Sequence, residues 1–420
     1  MTTKERRPRV LILGGGFAGV GAAQKLAKSD ADVVLVDRHD YHTFQPLLYQ
    51  LATGLLETSA VGHSLRDLVH RQDNAVVHKT TVNEIDLDAR EVRFDDFEAL
   101  AYDYLVLALG AQVNFFGTEG AEHAFPMYTL PDAVRLKEHV LARWEAADKD
   151  RALVDDGVLN IVVVGGGPTG VETAGALAEL YRASFWRDYR DIPQERARII
   201  LVEAGPEVFA MFKPELREYT VKALEKRTVE LMTGDPVASI TPTRVTLKSG
   251  TELKAHTLVW GAGLQGNELV RSLGLELERG NRLGVGPALN LPDHPEVYVV
   301  GDIAAITDGK TKQVLPQLGS VALQSGEHAG AEIGRRIVGE KAREFKYHDK
   351  GTMAAIGRGS AVVQMLGGRT MKGKAAQIAW GTVHLALLPT NEDRAKAVVD
   401  WSGAVLTHQR AGRITVTADD

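Results

Sequence analysis

Three stretches of this sequence carry residue types suited to holding phosphate and ribose. The first is Val10–Gly19 (VLILGGGFAG), where a short apolar run meets Gly14, Gly16, Phe17, Ala18 and Gly19. A helix is expected over Val20–Lys28, then a buried strand over Ala31–Asp37 that ends in an acid 23 residues after Gly14. Gly14 permits a tight turn, Gly16 lets backbone approach a pyrophosphate, and Gly19 lets the helix pack close to the strand. The helix N-terminus then faces phosphate, and Asp37 can accept from a ribose 2′-hydroxyl. The pattern returns 151 residues later in Asn160–Gly170 (NIVVVGGGPTG), with Gly165, Gly167, Thr169 and Gly170. A helix is expected over Val171–Tyr181 and a strand over Arg198–Glu203, its acid 38 residues after Gly165. Glu203 accepts from a 2′-hydroxyl and repels a 2′-phosphate, and Ala204-Gly205-Pro206 supplies no arginine, so NADH is expected over NADPH. Glu172 follows Gly170 by two residues and is expected in the first helical turn. An acid there either answers the helix dipole or steers a proton beside the nicotinamide. The third stretch, His294–Asp302 (HPEVYVVGD), reads as a strand ending in a Gly301-Asp302 turn suited to a ribityl hydroxyl. Two dinucleotide units in one chain imply one nucleotide held and one exchanged. That is the arithmetic of a flavoprotein that takes hydride from a nicotinamide, with FAD and NADH as the pair.

Such loops must be carried by parallel strands backed by helices. At 420 residues the chain is long enough for two or three domains with a sizeable core. The first unit runs out near Gly117, and Thr118–Leu159 reads as a connector with helical spacing at Ala133, Leu136, Val140 and Trp144. Strands over Val229–Met232, Val245–Leu247 and Thr257–Trp260 complete the second unit, and Arg182–Glu195 is assigned no chemistry. There is no cysteine, which excludes disulfide scaffolds, thiolate metal sites and redox dithiols; no metal site is expected. A net charge of −6 argues against nucleic acid as a partner. The N-terminus reads as no signal peptide, and no run of about 18 apolar residues suggests a spanning helix.

Four further segments carry a family resemblance: Val36–Gly54 (VDRHDYHTFQPLLYQLATG), Tyr104–Gly117 (YLVLALGAQVNFFG), Leu258–Gly263 (LVWGAG) and Phe345–Gly357 (FKYHDKGTMAAIG). With the order of the three nucleotide motifs, they resemble the two-dinucleotide-binding-domain flavoproteins, and more specifically the non-pumping type II NADH:quinone oxidoreductases. The resemblance covers nearly the whole chain. It implies an α/β fold of two Rossmann-like domains, the FAD domain (1–120 and 290–345) split by an inserted NADH domain (121–289), and a C-terminal helical cap (346–420). It places Arg38, Val82, Ala108 and Gly110 in the cofactor sites, with Gly263, and lays the turn Gln45-Pro46-Leu47 against the isoalloxazine. A helix after Pro316 is implied to aim its N-terminus at the flavin pyrimidine ring. The family usually carries two glutamines there near the quinone; this chain has Gln324 at the second position and Ser320 at the first. Lys350 stands where the family places a lysine by the acceptor.

The resemblance also implies peripheral membrane contact, here through 374–413, a homodimer, and a cytoplasmic location on the inner face of the cell membrane. Gln377–Leu388 is apolar but spans only about 18 Å as a helix. The run after Pro389 is expected to interrupt it with charge before a second helix bearing Val398, Trp401 and Val405. Between Asn391 and Arg413, four basic residues, Arg410 and Arg413 among them, face three acidic ones, a weak polybasic anchor. The implied activity is hydride transfer from NADH to FAD and then two electrons to a quinone, with Glu172, Gln324 and Lys350 as catalytic candidates. The rivals are a soluble NADH-dependent reductase of a non-respiratory, quinone-like acceptor, and an FAD- and NADH-binding redox-sensing partner protein.

Overall fold

The computed structural model describes residues 6–407. The chain divides into two compact units, each built on a five-stranded parallel sheet.

The first unit takes the chain up to Thr43, His63–Gln112 and Leu264–Asp349. Its strands run in the order Val297–Val299, Tyr104–Leu107, Arg9–Leu13, Asp32–Asp37, Ala75–Lys79. These strands are near-continuous Val, Ile and Leu because a parallel sheet is covered on both faces. Leu13 lies level with Val36 and Leu107, so the loops carrying Gly14, Asp37 and Ala108 leave one edge together. A three-stranded antiparallel sheet, Val82–Asp86, Glu91–Phe94 and Leu100–Ala101, accompanies it.

The second unit takes Phe44–Gly62, Val113–Gly263 and the chain from Lys350 onward. Its sheet runs Phe125–Pro126, Thr257–Trp260, Ile161–Val164, Ile199–Glu203, Val229–Thr233, with Val164 level with Val202 and Trp260. Helix Leu130–Lys149 opens on a Thr129/Asp132 capping box and buries Ala133, Leu136, Val140 and Trp144, the face its spacing predicts. The segment given no chemistry, Arg182–Glu195, has a packing role: Phe185 and Tyr189 set their rings 4.7 and 5.3 Å from Trp144, beside that of Tyr181 at 4.9 Å.

The boundaries differ from the expected ones in three places, each for a contact made within a unit. Residues 264–289 group with the first unit because strands Leu277–Glu278 and Arg282–Gly284 pair onward to Ala304–Ala305. Residues 44–62 group with the second, where the Phe44 ring meets His384 edge-on and Gln50 accepts from Trp401. The chain after Lys350 is not a separate cap. Strand Thr352–Gly357 lies so close to helix Pro168–Leu180 that a Cβ on Gly175 would come within 2.1 Å of the Ile356 carbonyl oxygen. That strand forms an antiparallel sheet with Ser360–Gln364 and Thr370–Gly373, followed by helices Lys374–Leu387 and Asn391–Thr407.

Three local expectations are corrected. The glycine-loop helices begin at Phe17 and Pro168, three residues earlier than expected, because Gly16 and Gly167 are themselves the extended N-caps. Glu172 therefore stands in the second helical turn, not the first. The apolar helix ends at Leu387 and a second helix follows, as expected, but the charged run after Pro389 is not a break of its own: it begins that second helix. Thr390 and Asp393 exchange hydrogen bonds of 3.2 Å, a capping box, and Lys396 pairs with Glu392 one turn back at 2.8 Å. The expected contacts of 408–413, including Arg410 and Arg413, and the side chain of Val405 lie outside what is described. Among the described residues no helix is long and apolar enough to cross a membrane.

Candidate dinucleotide-binding sites

In the first unit Gly14 has φ +111° and donates to the Val36 carbonyl at 2.8 Å. A Cβ there would meet the Ala108 carbonyl oxygen at 2.2 Å, and one on Gly19 would meet the Gly14 carbonyl oxygen at 1.7 Å. Turn geometry and helix packing therefore fix these two glycines. Gly16 is different. Its φ is −74°, which any residue adopts, and a Cβ there meets nothing within 4 Å. Neither backbone nor packing requires glycine at this helix start. A pyrophosphate lying against the backbone does, so the loop fits the group the motif implies.

Asp37 is held at the loop: it accepts from Gly15 N–H at 2.6 Å and from His39 N–H at 2.7 Å. The Gly15 carbonyl in turn meets His42 Nδ1 at 3.0 Å, and the His42 ring sits edge-on to Phe17 with centroids 4.9 Å apart. Burial pushes His42 down to about 4, so the ring is neutral at physiological pH and its Nδ1–H donates to the carbonyl. His42 lies inside the Val36–Gly54 segment, but no glycine or acid spacing marks it as part of the loop's support. Gly301, at φ +70°, packs its Cα face on Ala18 and Ala322 and donates to Ser325 Oγ at 3.0 Å. The Asp302 carbonyl accepts from Gln317. Helix Gly319–Ile337 crosses helix Phe17–Lys25 at backbone contact, where a Cβ on Gly326 would reach 1.9 Å from the Ala18 carbonyl oxygen. Gly319 lies against the Phe17 ring, so two helix N-termini converge beside Gly301 and Asp302. Ala108 donates to Leu13 and Gly110 turns at φ +67°; Val82 packs on the core, while Arg38 is exposed.

The second unit repeats this geometry. Gly165 also has φ +111° and donates to Val202 at 2.8 Å, and a Cβ on Gly170 would sit 1.8 Å from the Gly165 carbonyl oxygen. Gly167, like Gly16, has an ordinary φ and open space at its Cβ position. The Glu203 carboxylate accepts from Gly166 and Gly205 N–H, as Asp37 does from Gly15 and His39. The Thr169 carbonyl accepts from Thr173 Oγ1 at 2.6 Å, and Gly263 turns at φ +67° under the Phe116 ring.

Glu172 is buried, with one carboxyl oxygen accepting from Ala355 N–H at 2.9 Å and the Trp380 indole beside it. Burial outweighs both contacts and pushes its pKa up to about 8, so the group is protonated at pH 7. Gln45-Pro46-Leu47 forms a single 3₁₀ turn in the second unit, with Gln45 donating to the Tyr128 carbonyl. In the first unit Gln324 makes two hydrogen bonds to the backbone of His348, at 3.1 and 3.0 Å, and Ser320 Oγ meets Tyr347 OH at 2.9 Å. These side chains, four residues apart on one helix face, strap the 347–348 segment to the helix. Lys350 is exposed. No cluster of metal-binding side chains occurs among the described residues.

Comparison with known proteins follows the same lines. Residues 8–326 match the family described as pyridine nucleotide-disulphide oxidoreductases; this chain, having no cysteine, lacks any disulphide of its own. A type II NADH:quinone oxidoreductase of Mycobacterium tuberculosis is 34% identical, over 98% of this chain and 91% of its own. One from Staphylococcus haemolyticus is 30% identical, over 88% and 92%. The structure of NDH2 from Plasmodium falciparum in complex with NADH superposes with a TM-score of 0.89 at 19% identity, covering 98% of this chain and all of that one, which supports the fold.

Proposed function

The chain belongs to the type II NADH:quinone oxidoreductase family, and from that premise we propose that it oxidises NADH through a bound FAD and passes two electrons to a quinone without moving protons across a membrane. The observation that carries this reading is the pair of glycines, Gly16 and Gly167, whose side-chain positions are open beside two matching helix starts. FAD is assigned to the first unit and NADH to the second. When bound, the flavin accepts hydride and releases electrons in pairs. The protein's part is to hold and orient. Asp37 and Glu203, pinned by loop N–H groups, present carboxylate oxygens to ribose hydroxyls. Glu203 repels a 2′-phosphate, which makes NADH the donor. The converging helix starts at Phe17 and Gly319 place positive dipole ends where negative charge gathers. Glu172, protonated at neutral pH, is assigned as a proton-holding group in the second unit. Gln324, through its hold on His348, and Lys350 are assigned to the acceptor half-reaction.

We further propose that it works as a homodimer at the inner face of the cell membrane. The exposed apolar residues Val399 and Leu406, seven apart on the outer side of the last described helix, support a membrane contact. The use of Ser320 and Gln324 as straps favours one rival, a soluble reductase of another quinone-like acceptor. Stopped-flow reduction of the flavin by NADH, followed by reoxidation with a panel of acceptors, tests the proposal. Fast reoxidation by quinones supports it; equally slow reoxidation by every acceptor overturns it. Gln324→Ala and Lys350→Ala should slow reoxidation about 5–150-fold and leave reduction nearly unchanged.

A further inference from the structure

The second unit holds a cavity of about 1180 Å³ whose walls include neither glycine loop. It lies by the C-terminal ends of helices Pro168–Leu180 and Pro214–Glu225. Glu179 on its wall lies about 18 Å along the first helix from Gly167, at 1.5 Å per residue. The volume exceeds the roughly 300–1,000 Å³ of drug-sized sites. One wall is carbon-rich: Tyr49, Leu55, Ala176, Trp380, Leu385 and Trp401. On that wall Trp401 donates to Gln50 at 2.7 Å and Gln50 donates to the Tyr49 hydroxyl at 3.0 Å. The charged part of the lining is mostly basic. Arg182, Lys222, Lys226, Arg227, Arg358 and Lys374 stand against one acid, Glu179, a net of five positive charges in a chain whose total is −6. Glu179 is paired with Arg227 at 3.1 Å. Among the described residues, Lys222, Lys226 and Lys374 have no carboxylate within ion-pair distance. A quinone, whose carbonyl oxygens carry no net charge, cannot neutralise this excess of cations.

We propose that this cavity binds an anionic amphiphile. A phosphate or carboxylate head sits among Lys222, Lys226 and Lys374, and an acyl chain lies against Tyr49, Trp380 and Trp401. A bilayer phospholipid as its source rests on the membrane reading above; the site itself does not.

The test uses the flavin-loaded full chain and acyl chains brominated near their middle, which quench tryptophan at contact range. The probes are monomeric brominated lysophosphatidylglycerol, its phosphatidylcholine counterpart and dibromostearate, each below its micellar concentration. Vesicles of phosphatidylcholine with and without phosphatidylglycerol are the bilayer arm. The expected result is quenching by the anionic monomers, absent in Trp380→Phe/Trp401→Phe. In Lys222→Gln/Lys226→Gln it should be weakened roughly fivefold per lysine, about 30-fold in all, with NADH-driven flavin reduction unchanged. Equal quenching by the phosphatidylcholine probe, an undiminished effect in the lysine variant, or displacement by a long-chain quinone alone overturns the proposal. Quenching by dibromostearate without vesicle binding makes a free fatty acid the ligand, keeps the site and defeats the membrane reading. Vesicle binding without quenching by the monomers keeps the membrane reading and defeats the site.

Discussion

The two glycine loops are the same object built twice, and the surroundings of each explain what the repeat leaves out. Gly14 and Gly165 share φ +111°, and Gly19 and Gly170 face the carbonyl of the first glycine at 1.7 and 1.8 Å. The acids Asp37 and Glu203 both take the N–H of the middle glycine. The carbonyl of that middle glycine is where they part. In the first unit it meets the buried His42 side chain; in the second it accepts from the Phe209 backbone at 2.7 Å. The helix behind the loop differs too. Gly21 of the first corresponds, at the offset of 151, to Glu172 of the second. Gly21 admits a neighbouring helix at the Leu323 carbonyl, whereas Glu172 meets a strand through Ala355 N–H. Loop geometry is thus a local steric requirement met the same way twice, while each loop's support is free to diverge.

The largest expected effect comes from the shared feature. A Cβ at Gly19 or Gly170 forces the helix off its loop, costing about 3 kcal/mol or roughly 100-fold in nucleotide affinity. Gly19→Ala should purify with little flavin, and Gly170→Ala should keep its yellow colour but reduce slowly with NADH. Absorbance and stopped-flow traces separate the two; a Gly170→Ala protein that loses flavin would break the assignment of units.

Next is Glu172→Gln. The parent acid has a folded pKa of about 8, raised from an ordinary 4.5. The stability this shift confers is complete below the unfolded pKa and is lost as pH rises through about 8. The glutamine variant should therefore gain on the parent between pH 5 and 8, by up to about 1.4 kcal/mol per pH unit. Denaturant melts at pH 5, 6.5 and 8 show it, and parallel curves would mean that the carboxyl is ionised in the fold.

Glu203→Gln should narrow the preference for NADH over NADPH by about 1–3 kcal/mol. A parent enzyme already indifferent to the 2′-phosphate removes that role from Glu203.

Smallest is His42→Phe, which leaves the Gly15 carbonyl without its partner and should weaken FAD by about 1–2 kcal/mol while sparing the KM for NADH. His42 has its pKa lowered from 6.5 to about 4, so its neutral form contributes stability above pH 6.5 that is lost as pH falls through about 4. Flavin release on acidification should be less steep in the variant, followed by fluorescence.

Much of the nucleotide chemistry was legible because it depends on short-range order. Glycine spacing, the acid at a strand end and the helical spacing of Ala133, Leu136, Val140 and Trp144 each concern neighbours in sequence, and the structure keeps them. The errors occurred where local signals competed with capping. Helix starts fall three residues before the expected ones because Gly16 and Gly167 look like loop but cap helices, and the charged run at Asn391 masks the Thr390/Asp393 box. His42 meets a carbonyl of the glycine motif itself, and the rings around Trp144 pack on it, but in both cases tens of residues separate the partners, so local spacing marks neither.

The sequence by itself determined two glycine loops, the acid at the strand end beside each, and the absence of cysteine. These follow from residue types at fixed spacing, where sterics leave one conformation. Only the tertiary structure decided which carbonyl His42 caps, that Glu172 is buried against Ala355 and held protonated, that Gln324 is a strap on His348, and that scattered lysines gather around one cavity. Burial and the pairing of groups tens to hundreds of residues apart set those properties, and neither is a function of local spacing.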